Sequence, residues 1–119
     1  MTDTNPSAQL NTVLVEEDPT EGLWHLVDCG WADEYLPELP ALRLEQDPIH
    51  RHKDVLTHTI AVTSQSPPRL RVRLAALFHD VGKPRTRSYE HGGVTFRHHE
   101  AVGARMTRKR MPKLGYQED

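Results

Sequence analysis

The stretch Leu74-Ala75-Ala76-Leu77-Phe78-His79-Asp80-Val81-Gly82-Lys83-Pro84 carries most of the information in this chain. Its apolar run ends in an imidazole and a carboxylate, which are ligand groups of divalent-metal sites that activate water. The basic Lys83, just beyond Asp80, indicates an anionic substrate, most simply a phosphate ester. Two further histidines flank the pair at similar distances along the chain, His58 before it and His99 after it.

Composition limits the classes of protein to which the chain can belong. Its 119 residues fit one domain, and 36% hydrophobic with 6% aromatic content predicts a modest, mostly aliphatic core. No apolar stretch approaches the roughly 20 residues that span a bilayer, and Met1–Ala8 lacks the features of a secretory signal. Since the single cysteine, Cys29, excludes an internal disulfide, we expect a cytoplasmic protein without a membrane partner.

Charge is unevenly distributed along the sequence. Residues 1–54 contain 12 acidic and 3 basic side chains, a net charge of −9, whereas residues 55–119 contain 12 basic and 5 acidic side chains, a net charge of +7. The basic half could attract phosphates or RNA. Equally, the two halves could attract each other within one fold, or both could simply be solvated.

Apolar spacing predicts two antiparallel helices around the histidine–aspartate pair. The first covers about Lys53–Ser64 and the second about Arg69–Val81, with Ser66-Pro67-Pro68 between them. This arrangement directs His58 towards the pair. In the second helix the side chains predicted to face inward are Leu70, Leu74, Leu77, Phe78 and Val81, and those predicted to face outward are Arg69, Arg71 and Arg73.

The C-terminal part of the chain predicts a hairpin and a last helix. Gly92-Gly93, between β-prone flanks, indicates a small hairpin within Thr86–Arg97. The last helix runs over about His98–Arg110, and Pro112 and Gly115 are expected to end it. Its first turn would bring His98 and His99 near the quoted stretch.

The N-terminal part predicts shorter and weaker elements. A weak helical pattern covers Ala8–Glu17, and a second helix follows Asp18-Pro19-Thr20 and ends at Gly30 in a left-handed conformation. A helical turn at Ala32–Leu36 precedes an irregular connection over Pro37–Pro48. We therefore predict a mainly α protein, a single helical bundle with one short β-hairpin. Residues 1–19 form an N-terminal tail and first helix, and residues 20–119 form the main domain.

Two features of the quoted stretch need separate interpretation. Gly82 followed by Pro84 is expected to stop the central helix. Eight histidines in one short chain make coincidental spacing frequent, and a lone histidine in an apolar helix is more often structural than a ligand. The joint occurrence of His79-Asp80 with Gly82-Lys83 is far more specific than any of these histidines alone.

That combination resembles the HD superfamily of metal-dependent phosphohydrolases. Asp54-Val55-x-x-His58-Thr59, the quoted stretch, Val94-Thr95-Phe96 and His99-Glu100-x-x-Gly103-Ala104 are similar to the HD region of bacterial, actinobacterial-type CCA tRNA nucleotidyltransferases and poly(A)-polymerase-like relatives. The similarity covers roughly residues 20–112. It implies an HD-like helical domain that is C-terminally truncated relative to the family.

The resemblance implies a metal site. His58, His79 and Asp80 correspond to metal ligands, and His99 would serve a second ion or the substrate phosphate. The implied cofactor is a divalent ion, and the mixed nitrogen and oxygen ligands suit Mn, Fe, Co, Ni or Zn, and Mg less well.

The resemblance also implies hydrolysis of a phosphate mono- or diester, with a nucleotide or an RNA end as substrate. Asp80 and Lys83 would be the catalytic residues, the first orienting water and the second offsetting charge on phosphorus. Lys83, Arg85 and His98 would bind the substrate phosphate.

The sequence departs from the family pattern in two respects. It has no Asp-x-Asp pair and no nucleotidyltransferase domain, so these residues could not add nucleotides to tRNA on their own. It also lacks a later helix with a closing aspartate ligand. That absence should expose apolar surface around Leu77, Val102 and Met106, which predicts a homodimer.

The alternative hypothesis is a non-catalytic module. In its first form, the helices serve as a scaffold and a basic face contacts RNA backbone. In its second form, the chain is a degenerate remnant with only structural or interaction roles. No aromatic residue alternates with these basic residues, which argues against a stacking platform for single strands. The basic residues of this face are Arg69, Arg71, Arg73, Arg105, Arg108, Lys109, Arg110 and Lys113.

Overall fold

A computed structural model of the chain describes residues 5–44, 54–90 and 93–116, and the described residues form a mainly helical structure. The helices are α1 (Pro6–Leu14), α2 (Thr20–Asp28), α3 (Trp31–Tyr35), α4 (Val55–Gln65), α5 (Leu70–Phe78), α6 (Lys83–Thr86) and α7 (His99–Leu114), with a 3₁₀ turn at Pro40–Leu42. Strands β1 (Arg87–Glu90) and β2 (Gly93–Phe96) pair antiparallel, with Arg87 opposite Phe96. The helical bundle with one short hairpin is therefore confirmed.

A leucine-rich core joins the N-terminal helix to the rest of the chain. Leu10 and Leu14 of α1 are fully buried in the same cluster as residues of α2, α3, α4, α5 and α7. Other members that are at most 1% exposed are Leu23, Ala32, Leu36, Leu39, Leu42, Val55, Leu56, Ile60, Leu77 and Leu114. The aliphatic character expected from the composition thus appears directly in the packing.

Capping residues fix where the helices around the site begin and end. The Asp54 carboxylate accepts a hydrogen bond from the Thr57 N–H at 2.7 Å and so starts α4, one turn before His58. Gly30, with φ of 92°, follows the end of α2 in the left-handed conformation that its sequence context predicts. Residue 53, where we expected the α4 helix to begin, lies outside the described ranges.

The ends of α5 and α7 differ from the sequence expectation. α5 ends at Phe78 rather than Val81, and Pro84 lies in the first turn of α6 instead of ending a helix. α7 continues through Pro112 to Leu114 and ends at Gly115, with φ of 108°. Tertiary contacts override the local preference there, because Leu114 is fully buried and the Tyr116 hydroxyl donates a hydrogen bond to Asn11 Oδ1 at 2.5 Å.

Arg73 does not face outward as predicted. It is 2% exposed, and its guanidinium donates hydrogen bonds to the carbonyls of Leu14 at 2.7 Å, of Glu16, of Glu17 at 3.2 Å and of Ser66 at 3.2 Å. These carbonyls belong to the end of α1, to the linker between α1 and α2, and to the residue after α4, where the regular helical hydrogen bonds stop. Arginine, with five donors, can satisfy several of them at once.

The expected apolar patch is also absent from the described surface. Leu77 and Met106 are buried and Val102 is half-buried, since α1 packs against α5 and α6 packs against α7. The homodimer inferred from that patch loses this basis and stays a prediction. No described helix has the length and apolar character needed to cross a membrane.

The Arg73 contacts predict a large stability effect. In Arg73→Lys, a single ammonium cannot reach all four carbonyls, and each buried carbonyl left unpaired carries a desolvation cost. We expect the free energy of unfolding to fall by about 2–4 kcal/mol, measured by urea denaturation followed by circular dichroism. The control Arg69→Lys changes an exposed residue one position before α5 and should shift stability by less than about 0.5 kcal/mol. Equal, small effects in both variants would show that the Arg73 contacts contribute little.

Candidate metal centre

The buried carboxylate of Asp80 is the centre of the site. Asp80 is 3% exposed, and its Oδ2 lies 2.9 Å from His79 Nε2, 3.3 Å from Lys83 Nζ and 4.0 Å from His58 Nε2. Its Oδ1 points towards a different helix and lies 3.6 Å from His99 Nε2. One carboxylate oxygen therefore faces His58, His79 and Lys83, and the other faces His99.

A turn between α5 and α6 allows adjacent residues to face the same point. Consecutive side chains on a helix diverge by about 100°, but His79 and Asp80 follow the last residue of α5. The turn is fixed by hydrogen bonds from the Val81 N–H to the Phe78 carbonyl at 3.3 Å and from the Lys83 N–H to the Asp80 carbonyl at 3.0 Å. This turn aims the His79 and Asp80 side chains at the space beside α4 and α7.

Backbone carbonyls orient two of the imidazoles. His79 Nδ1 contacts the Ala76 carbonyl, and His99 Nδ1 contacts the Phe96 carbonyl at 3.0 Å. When Nδ1 carries the proton and donates it to a carbonyl, Nε2 is left as the nitrogen that faces Asp80. Metal-binding histidines commonly have this arrangement, because the carbonyl fixes both the tautomer and the ring orientation.

The donor set fits a divalent cation. His58, His79 and Asp80 each offer one ligand atom, and these three atoms lie within 4.8 Å of one another. Two donors that bind one ion at 2.0–2.2 Å can be about 4.4 Å apart, so the observed spacing is close to that of a metal site. Asp80 Oδ2 is buried and lacks an aligned hydrogen bond, despite its short ion-pair contact with His79. A cation would offset the cost of that burial, so these residues could hold a metal ion.

Electrostatics keep the carboxylate ionised. Burial raises the pKa of Asp80, but the contact with His79 and the charges of His79 and Lys83 outweigh burial and lower it overall. The same contact with Asp80 raises the pKa of His79, although burial opposes the rise and the Ala76 carbonyl adds to it. A metal that binds through the His79 imidazole would therefore compete with a proton for it.

Lys83 is held between the carboxylate and an aromatic ring. It is 14% exposed, and its Nζ lies 5.3 Å from the centre of the Phe96 ring. Phe96 belongs to the Val94-Thr95-Phe96 motif, for which no role in the site was predicted. The signal that was available is its position at the end of β2, since the hairpin returns the chain to α6.

The sequence-predicted site residues fall into two groups. The structure brings together His58, His79, Asp80, Lys83 and His99. Arg85 is exposed on α6, and His98 is exposed with a left-handed φ of 62° just before α7. Within the described part of the chain, neither of these two contacts the Asp80 carboxylate.

Gly82 positions α7 instead of ending a helix by a left-handed turn. Its φ of −78° is right-handed, but a Cβ at this position would lie 2.2 Å from the His99 carbonyl and 2.6 Å from the Gly103 N. Gly103 is also tightly placed, since a Cβ there would lie 3.2 Å from the Gly82 N. This close approach of two backbones allows His99 to reach Asp80.

Comparison with known proteins agrees with this geometry. The sequence profile described as "HD domain" matches residues 51–119, which is more than half of the chain. This chain belongs to the HD domain family. The match includes every residue that surrounds the Asp80 carboxylate.

Several curated relatives of this HD domain protein are similar to most of its length. They include an A-adding tRNA nucleotidyltransferase of Deinococcus radiodurans, 36% identical over 89% of this chain and 26% of the relative. A CC-adding tRNA nucleotidyltransferase of Thermus thermophilus is 38% identical over 84% of this chain and 25% of the relative. A multifunctional CCA protein of Pseudomonas syringae is 34% identical over 72% of this chain and 24% of the relative. The chain thus spans about a quarter of the length of these relatives, and no solved structure matches it.

The Gly82 contact predicts a specific defect. In Gly82→Ala the added methyl group collides with backbone that cannot rotate away, so α7 must move and the distance between His99 and Asp80 must increase. We expect a loss of about 1–3 kcal/mol in the free energy of unfolding. NMR of the histidine ring resonances should show a changed His99 environment. Gly30→Asn, at a left-handed position with no atom near the Cβ, is the control and should leave the His99 resonances unchanged.

Proposed function

We propose that this HD domain is a divalent-metal-dependent phosphohydrolase that acts on a phosphate mono- or diester of a nucleotide or an RNA end. The observation that carries the proposal is the buried Asp80 carboxylate, which three imidazoles and an ammonium group face. Donors for a cation and a separate positive charge for a phosphate therefore lie on the same side of one carboxylate.

In this proposal, His58, His79 and Asp80 hold the ion, and His99 stands ready at the other carboxylate oxygen. The bound ion would polarise a phosphoryl oxygen and acidify water. Mixed nitrogen and oxygen donors favour Mn, Fe, Co, Ni or Zn over Mg.

The remaining side chains act on the substrate. The Lys83 ammonium, held by Phe96, stabilises negative charge that develops on the phosphoryl group. Lys83 Nζ lies 3.3 Å from Asp80 Oδ2, and a cation held by Asp80 would weaken this ion pair and leave the ammonium to attract the phosphate. Arg85 and His98 are chain neighbours of Lys83 and His99, and we assign them to contacts with more distant parts of the substrate.

An RNA-end substrate is supported by the relatives, whose names describe enzymes that act on tRNA. Because the chain corresponds to only a quarter of those proteins, nucleotide addition is not part of this proposal. The proposal places the domain in the cytoplasm, where nucleotides and RNA occur together.

Turnover of simple esters tests the proposal. Purified protein should hydrolyse bis(p-nitrophenyl) phosphate or 2′,3′-cyclic nucleotides when Mn²⁺, Ni²⁺ or Mg²⁺ is added. Asp80→Asn should lower turnover by at least about 100-fold and abolish metal retention measured by elemental analysis. Asp33→Asn, a change of the same type at an exposed position on α3, should alter turnover by less than about twofold.

A second variant separates metal binding from chemistry. Lys83→Ala should retain the metal but lower turnover by about 100–1,000-fold, since the group that offsets charge on phosphorus is lost. Protein that binds none of the three ions and hydrolyses neither ester would contradict the proposal. That result would favour the non-catalytic module as the function of this domain.

A further inference from the structure

A cavity lies between α6 and α7. It has a volume of about 330 Å³, and Val102 and Met106 contribute apolar surface to it. Five cationic side chains line it, namely Arg85, Arg105, Lys109, Arg110 and Lys113. This concentration of positive charge takes no part in the metal centre described above.

Most of that charge is not neutralised by the residues that the structure describes. Arg110 is paired with Glu38, with its Nε 2.9 Å and 3.0 Å from the two carboxylate oxygens. The four other cations are exposed and form no ion pair within the described ranges. The cavity therefore has at least four positive charges available for an anionic ligand.

The cations on α7 form a regular row. Arg105, Lys109 and Lys113 follow one another at intervals of four residues, so they share a face and are separated by about 6 Å along the axis. Arg85 of α6 lies across the cavity from this row. Cations at intervals of one helical turn suit a ligand with regularly repeated negative charges, and the arginine forks suit phosphate oxygens.

The cavity and the metal centre share two structural elements. α6 carries both Lys83 and Arg85, and α7 carries His99 at its first residue and the cationic row further along. From His99 to Arg105 is about 9 Å along the helix, and from His99 to Lys113 about 21 Å. A strand whose terminal phosphate lies at Asp80 would therefore place its next phosphates along the row.

We propose that this cationic cavity binds the backbone phosphates of an RNA strand next to its reacting end. The inference rests on the proposed function for the identity of the reacting end. It makes the preferred substrate an oligonucleotide and not a mononucleotide. Because none of the described residues that line the cavity is aromatic, binding depends on phosphates and is largely independent of base sequence.

Binding without catalysis provides the first test. A fluorescein-labelled RNA 12-mer is titrated with the full chain in EDTA, and anisotropy is followed from 50 to 200 mM KCl. Arg105→Gln/Lys109→Gln should weaken binding at least about tenfold at low salt and reduce the slope of log affinity against log salt by about 1.4, or 0.7 per phosphate contact. Arg43→Gln, a change at an exposed position just after the 3₁₀ turn, should change affinity by less than about twofold. Thermal unfolding confirms that each variant folds.

Three binding outcomes would overturn the inference: unchanged affinity in the double variant, an equal loss in Arg43→Gln, or displacement of RNA by polyglutamate as efficiently as by unlabelled RNA of equal charge. The last result would indicate an acidic protein as the partner.

Kinetics separate this inference from the proposed function. The double variant should raise KM at least about tenfold for a 12-mer ending in a 2′,3′-cyclic phosphate and leave KM for a 2′,3′-cyclic mononucleotide unchanged. Mononucleotide turnover without RNA binding would reject the cavity as an RNA site and support the phosphohydrolase activity. RNA binding through the cavity without turnover would reject the enzyme and retain the cavity as an RNA site.

Discussion

The burial of one carboxylate governs the structure of this domain. An ionised Asp80 out of contact with water is costly unless positive or hydrogen-bonding groups surround it. The chain meets that requirement with side chains from α4, from the turn after α5, from α6 and from the start of α7. Helix packing, the tight contact between Gly82 and Gly103, and the hydrogen-bonded turn all bring those groups to the same carboxylate.

The local part of this arrangement could be predicted from sequence. Periodic apolar residues gave the central helices, the glycine pair gave the hairpin, and the histidine–aspartate motif indicated which side chains would meet. These signals are local because they depend on spacing within one or two turns. The resemblance to the HD family extended them to His99, which lies on a different helix.

What could not be predicted depends on contacts between distant segments. Arg73 was predicted to face outward from its position in the helical pattern. It is instead buried, and it donates hydrogen bonds to the carbonyls of Leu14, at the end of α1, and of Glu17, in the α1–α2 linker. Pro112 was expected to end α7, but burial of Leu114 keeps the helix intact. The roles of Phe96 and Gly103 arise only from the distance between α6 and α7, which no pattern within either segment specifies.

The two ends of the described chain meet at one place. Asn11 on α1 holds Tyr116 just after α7, and the space beside Gly115 is filled by the Asn5 side chain. The polypeptide consequently enters and leaves the folded unit at neighbouring points. A domain with this geometry can be inserted into, or permuted within, a longer polypeptide without separating the flanking segments.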